Sequence, residues 1–266
     1  MSFAGHVRKI SPRAWFYFKA LRYKFYNGQP DIWLLRHCTA TGTLAIDIGA
    51  SIGLYSRELA KSAAQVIAFE ANPRVAAFAR LVMPPKVTVE SVALSSASRE
   101  MTLRIPINKR NNPVDDLATV EPRNALQADL IITQPVVARR LDDYGYRDCG
   151  FIKIDVEGHE EQVLEGGLRL IEKSRPILMI ELDDRFNPGI LGRVCKRLTA
   201  YGYMAYEFSG GRLLAISQCE PPDDANASHN VVFVPNKAKL PVLPRWDRFA
   251  CALRLTFGQW RSRSLL

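Results

Sequence analysis

A chain of 266 residues can bury one large core and is expected to form one domain with appendages. Apolar residues make up 47% of it, which excludes a disordered chain. No run approaches the ~18 apolar residues of a membrane span, and the amino terminus lacks the apolar centre of a secretion signal.

The net charge of +9 lies at the ends. Residues 1–43 and 235–266 each hold seven Lys/Arg against one acid, which leaves the middle acidic. Both ends interleave aromatics with cations, as in Arg13-Ala-Trp-Phe-Tyr-Phe-Lys19 and Trp260-Arg-Ser-Arg263. Amphipathic helices that pack their aromatics on the domain would explain this pattern. So would peripheral contact with an anionic membrane, or a hold on an acidic substrate; nucleic acid is the weakest of these readings. Cys38, Cys149, Cys195, Cys219 and Cys251 are odd in number and widely spaced, so free thiols in a reducing, cytoplasmic compartment are expected, with attachment at the inner face of the membrane as a variant. Asn226-Ala-Ser228 reads as a surface turn.

In chain order, residues 1–43 form a basic, aromatic helical extension: a helix over 12–26, a break at Asn27 to Pro30, and a short helix from Asp31 to His37. The core domain covers 44–236. Leu44 to Ile48 has the length of a buried parallel strand, and its Asp47 precedes Gly49 and Gly53. Gly49 allows a sharp turn, and Gly53 allows close approach to the first turn of the next helix. A second strand, Val66 to Phe69, ends in Glu70, placed to accept both hydroxyls of a ribose. A dinucleotide fingerprint needs G-x-G-x-x-G, and this loop lacks the middle glycine. Asp-x-Gly-x-x-x-Gly suits S-adenosylmethionine, with Asp47 near its ammonium. The cofactor residues are therefore Asp47, Gly49, Ala50, Ser51, Gly53, Leu54, Tyr55, Glu70, Ala71 and Asn72. Val92 and Ala93 join them after the third strand (Val87 to Val89), where an adenine is expected.

A helix runs from Asn72-Pro73 to Leu81, and Met101 to Ile105 alternates like a hairpin strand. Residues 106–135, with four prolines, read as an insertion on the substrate rim or as a plain solvated loop. Phe151 to Ile154 is a strand with Asp155 at its end, followed by a turn at Gly158 and a helix over 159–173. Strand Pro176 to Leu182 carries Glu181. A helix from Ile190 stops at Gly202, and strands follow at 203–208, 212–216 and 230–234. The fold class is α/β: a doubly wound, mostly parallel, seven-stranded-type sheet with a terminal antiparallel hairpin. Residues 237–266 read as a basic helical tail.

Three segments resemble the FkbM-type methyltransferases of the class I S-adenosylmethionine-dependent fold: Ile46-Asp-Ile-Gly-Ala-Ser-Ile-Gly-Leu-Tyr55, Val66-Ile-Ala-Phe-Glu-Ala-Asn-Pro73, and Leu141-Asp-Asp143 with Phe151-Ile-Lys-Ile-Asp-Val-Glu-Gly-His-Glu160 and Leu164-Glu-Gly166. The family commonly has Gly-Ala-Asn where this chain has Gly49-Ala-Ser51, and Glu-Pro-Asn-Pro where it has Glu70-Ala-Asn-Pro73. The resemblance implies methyl transfer from S-adenosylmethionine to a hydroxyl of a sugar, glycan, glycolipid or related natural product. Such a reaction needs a proton acceptor, and Asp155, His159 and Glu157 are the candidates. Each has a plainer reading: Asp155 as a helix cap or orienter of the cofactor amine, His159 as a partly exposed first-turn residue. Lys153 is expected to pair with a carboxylate. Asp155, Glu157 and Glu181 have the chemistry for Mg²⁺, but strand-end carboxylates more often bind cofactor, so no metal is assigned. A non-catalytic scaffold and a nucleic-acid methyltransferase are the competing functions. The second lacks an Asn/Asp-Pro-Pro-aromatic motif after the fourth strand. Nothing in the residues sets the oligomeric state.

Overall fold

The computed structural model describes residues 11–241 apart from 28–29, 125, 127, 185–186, 210–211 and 217–228. Cys219, Cys251, the Asn226 turn and the tail beyond 241 lie outside the described residues. The strands are β1 (Leu44–Ile48), β2 (Gln65–Phe69), β3 (Val87–Glu90), β4 (Ala93–Leu94), β5 (Arg99–Ile107), β6 (Leu130–Arg139), β7 (Cys149–Ile154), β8 (Ile177–Leu182), β9 (Tyr203–Ser209), β10 (Arg212–Ala215) and β11 (His229–Pro235). The α-helices are α1 (Pro12–Arg22), α2 (Leu35–Cys38), α3 (Leu54–Leu59), α4 (Pro73–Val82), α5 (Glu160–Gly166), α6 (Leu168–Ser174) and α7 (Ile190–Ala200).

The large sheet runs β10-β9-β11-β8-β7-β1-β2-β3. β3, β2, β1, β7 and β8 are parallel, and the apolar runs of β1, β2, β7 and β8, broken only near their carboxyl ends by Asp47, Lys153 and Glu181, suit strands covered on both faces. β9 and β10 make the terminal hairpin, and β11 inserts between β8 and β9, antiparallel to both. The strand order reverses at β1, where β2 lies on one side and β7 on the other. Ligands of such sheets bind at the carboxyl ends beside that switch point. The register sets Asp47 opposite Lys153 across it.

Alternation along the strands divides the core in two. Ile46, Ile48, Ile152 and Ile154 face Val163, Leu164, Val194 and Leu198 of α5 and α7. On the other face Ala45, Val66 and Phe151 pack with Phe16, Leu34, Leu35 and Leu59. The amino-terminal segment thus shares this layer of the core with α3 and α4. Trp15 meets Phe78 of α4 edge-on, with ring centroids 5.5 Å apart.

Two expected elements change shape. β5 and β6 extend into the ends of the 106–135 stretch, so the connection spans only 108–129 and includes one 3₁₀ turn, Asp115–Leu117. Pro135 fits within β6 because β4 pairs only with Ala138 and Arg139, leaving that edge open elsewhere. The expected helix over 159–173 is two, α5 and α6, parted at Gly167. At Gly166 a Cβ would lie 2.1 Å from the Ser95 carbonyl oxygen, so β4 and α5 touch backbone to backbone there.

Candidate active site

A cavity of about 390 Å³ opens at the carboxyl ends of β1, β2, β7 and β8. Its floor is tight because Gly49 (φ 78°) presses on the β7 end: a Cβ there would lie 1.7 Å from the Asp155 carbonyl oxygen. Two lining residues that carry side chains, Ser51 (φ 49°) and Glu157 (φ 53°), adopt the left-handed region, where backbone strain concentrates at functional sites.

Carboxylates dominate the lining. Asp47 is fully buried; its Oδ2 accepts from Ser56 Oγ at 2.5 Å, and its Oδ1 has no hydrogen-bond partner among the described residues. Burial raises its pKa, against the pull of Lys153. Glu70 is held by two backbone amides, Ser51 N on Oε2 at 2.8 Å and Asn72 N on Oε1 at 2.7 Å, and burial still pushes it up to about 7. Lys153 is the buried cation among them, with Nζ 2.5 Å from Asp155 Oδ2 and 4.4 Å from the centre of the Tyr55 ring. Burial alone would lower Lys153, but Asp155, Asp47 and Glu181 outweigh it and hold the ammonium above its ordinary value. It is therefore a fixed charge and no base. Glu157 is pushed up to about 9 by burial and then by Asp155, Glu181, Glu160 and Asp183.

Of the expected cofactor residues, Asp47, Gly49, Ala50, Ser51, Leu54, Tyr55, Glu70, Ala71, Val92, Ala93 and Asp155 line the cavity. Gly53 and Asn72 do not. Gly53 (φ 89°) makes the left-handed turn into α3 and packs on the Met83 side chain. Asn72 caps α4, accepting from Arg74 N, and positions Glu70 from behind. Asp155 and Glu157 line the cavity, and His159 is corrected out of it. His159 is 2% exposed; Nδ1 donates to Glu121 Oε2 at 2.9 Å, leaving Nε2 to accept from Ser95 Oγ at 3.0 Å. Burial lowers its pKa, so it sits neutral in a structural chain and is not a partly exposed first-turn residue.

Sequence reasoning missed several neighbours. Asp115 and Asp116 reach the cavity from the insertion, and Lys19 and Tyr23 from the amino-terminal segment. The buried Glu160 accepts from Gly158 N at 3.0 Å and so closes the β7–α5 turn. The buried Asp31 accepts from Tyr55 OH at 3.0 Å, and burial raises it to about 6. A signal existed for Asp31, the only acid in the first 43 residues. Among the described residues no group of three or more His, Cys, Asp or Glu could hold a metal ion.

Residues 47–204 match the Methyltransferase FkbM domain, well over half of the chain. The chain belongs to the FkbM methyltransferase family. Solved structures similar to this chain include the FkbM methyltransferase of Methylobacillus flagellatus, at 16% identity and a TM-score of 0.44. That match covers 72% of this chain and 43% of the other, so the chain spans less than half of its length. A precorrin-6y C5,15-methyltransferase of Geobacter metallireducens gives 15% and 0.41 over 80% and 91% of the two chains. A Streptococcus mutans protein crystallised in complex with SAH gives 12% and 0.45 over 76% and 94%. No curated protein matches.

The cofactor of the family is S-adenosylmethionine, and the cavity residues of this chain fit it. A ligand that carries an ammonium and a sulfonium suits a lining of Asp47, Asp155, Glu157 and Glu181 with one buried lysine. The orphaned Asp47 Oδ1 suits an ammonium, the amide-held Glu70 a ribose diol, and apolar Val92 and Ala93 an adenine face.

Proposed function

We propose that this chain is an O-methyltransferase that acts on a hydroxyl of a sugar, a glycan or glycolipid, or a related natural product. Bound in the cavity, S-adenosylmethionine supplies an activated methyl group on a sulfonium. The chain's own residues supply position and a proton acceptor. Glu157 carries the reading: it is a cavity carboxyl whose proton affinity is raised to about 9 and whose strained turn is tied down, since the Glu157 carbonyl accepts from Thr119 Oγ1 at 2.8 Å and Asn124 Nδ2 at 2.7 Å. A carboxylate this basic can take the proton of an alkylated hydroxyl, and Lys153, held charged, cannot.

Before transfer, the negative charge of Glu157 balances a cation in the cavity. Afterwards the proton on Glu157 balances the loss of that cation, so burial never isolates a charge. Holding the acceptor in line is worth roughly 7–11 kcal/mol. At the rim Asp115 is ion-paired with Arg74, and the carboxylate of Asp116 supports a hydroxylated acceptor, whose O–H groups can donate to it.

The test is incubation with methyl-labelled cofactor and cell-envelope fractions, with the product identified by mass spectrometry. The expected product is a methyl ether, and Glu157→Gln should lower its rate by about 10²–10⁴-fold with S-adenosylhomocysteine affinity kept. A label found on nitrogen, carbon or RNA would overturn the proposal.

A further inference from the structure

α1 is apolar on two sides, and the domain covers one of them. Phe16 and Ala20 enter the core, while Tyr17 (48% exposed), Phe18 (68%), Leu21 (60%) and, in the turn that continues the helix, Phe25 (46%) stand in solvent. Their helical spacing puts them in one stripe. Scattered surface apolar residues need no account, but four large ones in one stripe do.

Charge surrounds the stripe with one sign. Arg13 and Arg22 are exposed, and no acid occurs between Ser11 and Pro30. Arg57 of α3 lies 4.4 Å over the Tyr17 ring. Lys24 is turned inward onto Glu58 at 2.5 Å, which removes the nearest carboxylate from the outer field. The active cavity adjoins this helix, since Lys19 and Tyr23 form part of its wall.

We propose that the outer face of α1 docks on an anionic lipid bilayer. Phe18, Leu21 and Phe25 enter the boundary between headgroups and acyl chains, and Arg13, Arg22 and Arg57 meet lipid phosphates. A second copy of this chain is the poorer occupant, because a two-fold contact would set these arginines against one another. A nucleic acid matches the cations and can stack a base on Phe18, but it has no apolar phase to bury Leu21 and the rest of the stripe.

The experiment is flotation of the full chain with phosphatidylcholine vesicles, with and without about 30% phosphatidylglycerol. Anionic vesicles should bind about tenfold more protein, with the excess lost at high salt. The double variant Phe18→Asp/Leu21→Asp should lose that excess by about tenfold, with calorimetric S-adenosylhomocysteine affinity unchanged. Equal partition to both vesicle types, or a double variant that floats like the parent, overturns the proposal. So does a concentration-dependent dimer, seen by sedimentation, that the variant dissolves. Failure of the parent to bind S-adenosylhomocysteine would instead defeat the methyltransferase reading and leave the vesicle result standing.

Discussion

Glu157 is basic because its surroundings oppose its charge, and that opposition also acts on folding. It titrates near 4.5 when unfolded and near 9 in the fold, so the stability it contributes is complete below the first value and is lost as pH rises toward the second. Glu157→Gln cannot ionise. It should melt like the parent at about pH 5 and be on the order of 1–3 kcal/mol more stable at about pH 8.5, while losing methyl transfer. Calorimetric melting across that range checks this, and a parent curve flat with pH would count against it. His159 is the opposite case. Its folded pKa is lowered, so its contribution is present above 6.5 and is lost as pH falls. His159→Ala takes the partner from Glu121 Oε2 and Ser95 Oγ in the interior and should cost about 2–4 kcal/mol in urea unfolding. Because His159 does not line the cavity, the pH profile of kcat/KM should stay where it was; a shifted profile would return it to the chemistry.

The insertion acts as a clamp on both glycine-bearing turns. Ser51 Oγ donates to Asp116 on the β1 side, and Thr119 and Asn124 hold the Glu157 carbonyl on the β7 side. Asn124→Ala removes one of those two bonds and lets the left-handed turn relax. Methyl transfer should fall about tenfold through misplacement of Glu157, with S-adenosylhomocysteine affinity within about threefold because Glu70, Val92 and Ala93 are untouched. Equal losses in both measurements would point to general destabilisation. The two turns were legible in the sequence because apolar runs, terminal acids and glycines are local signals. What escaped was set by distant partners: His159 looks like a first-turn residue until Glu121 and Ser95 arrive from 38 and 64 positions away. β6 was hidden by Pro135, which an open edge tolerates. The aromatic extension was visible, but its chain neighbours do not say which side of α1 the core takes.

Across the molecule, the doubly wound topology brings the ends of β1, β2, β7 and β8 together and with them more buried carboxylate than buried cation. Protonation relieves this excess: Glu70 is raised to about 7 and Glu157 to about 9. A cation entering the cavity favours the ionised forms, so binding must release protons near neutral pH. S-adenosylmethionine carries a sulfonium charge that S-adenosylhomocysteine lacks, and it should therefore release more protons, by a few tenths of a proton or more at about pH 7.5. Titration calorimetry of each ligand in two buffers of different ionisation enthalpy measures this directly. Glu157→Gln should bring the two ligands to nearly equal release, because the group that responds to the sulfonium is gone. If the parent already releases the same number of protons with both, Glu157 does not face the charge that the methyl group leaves behind.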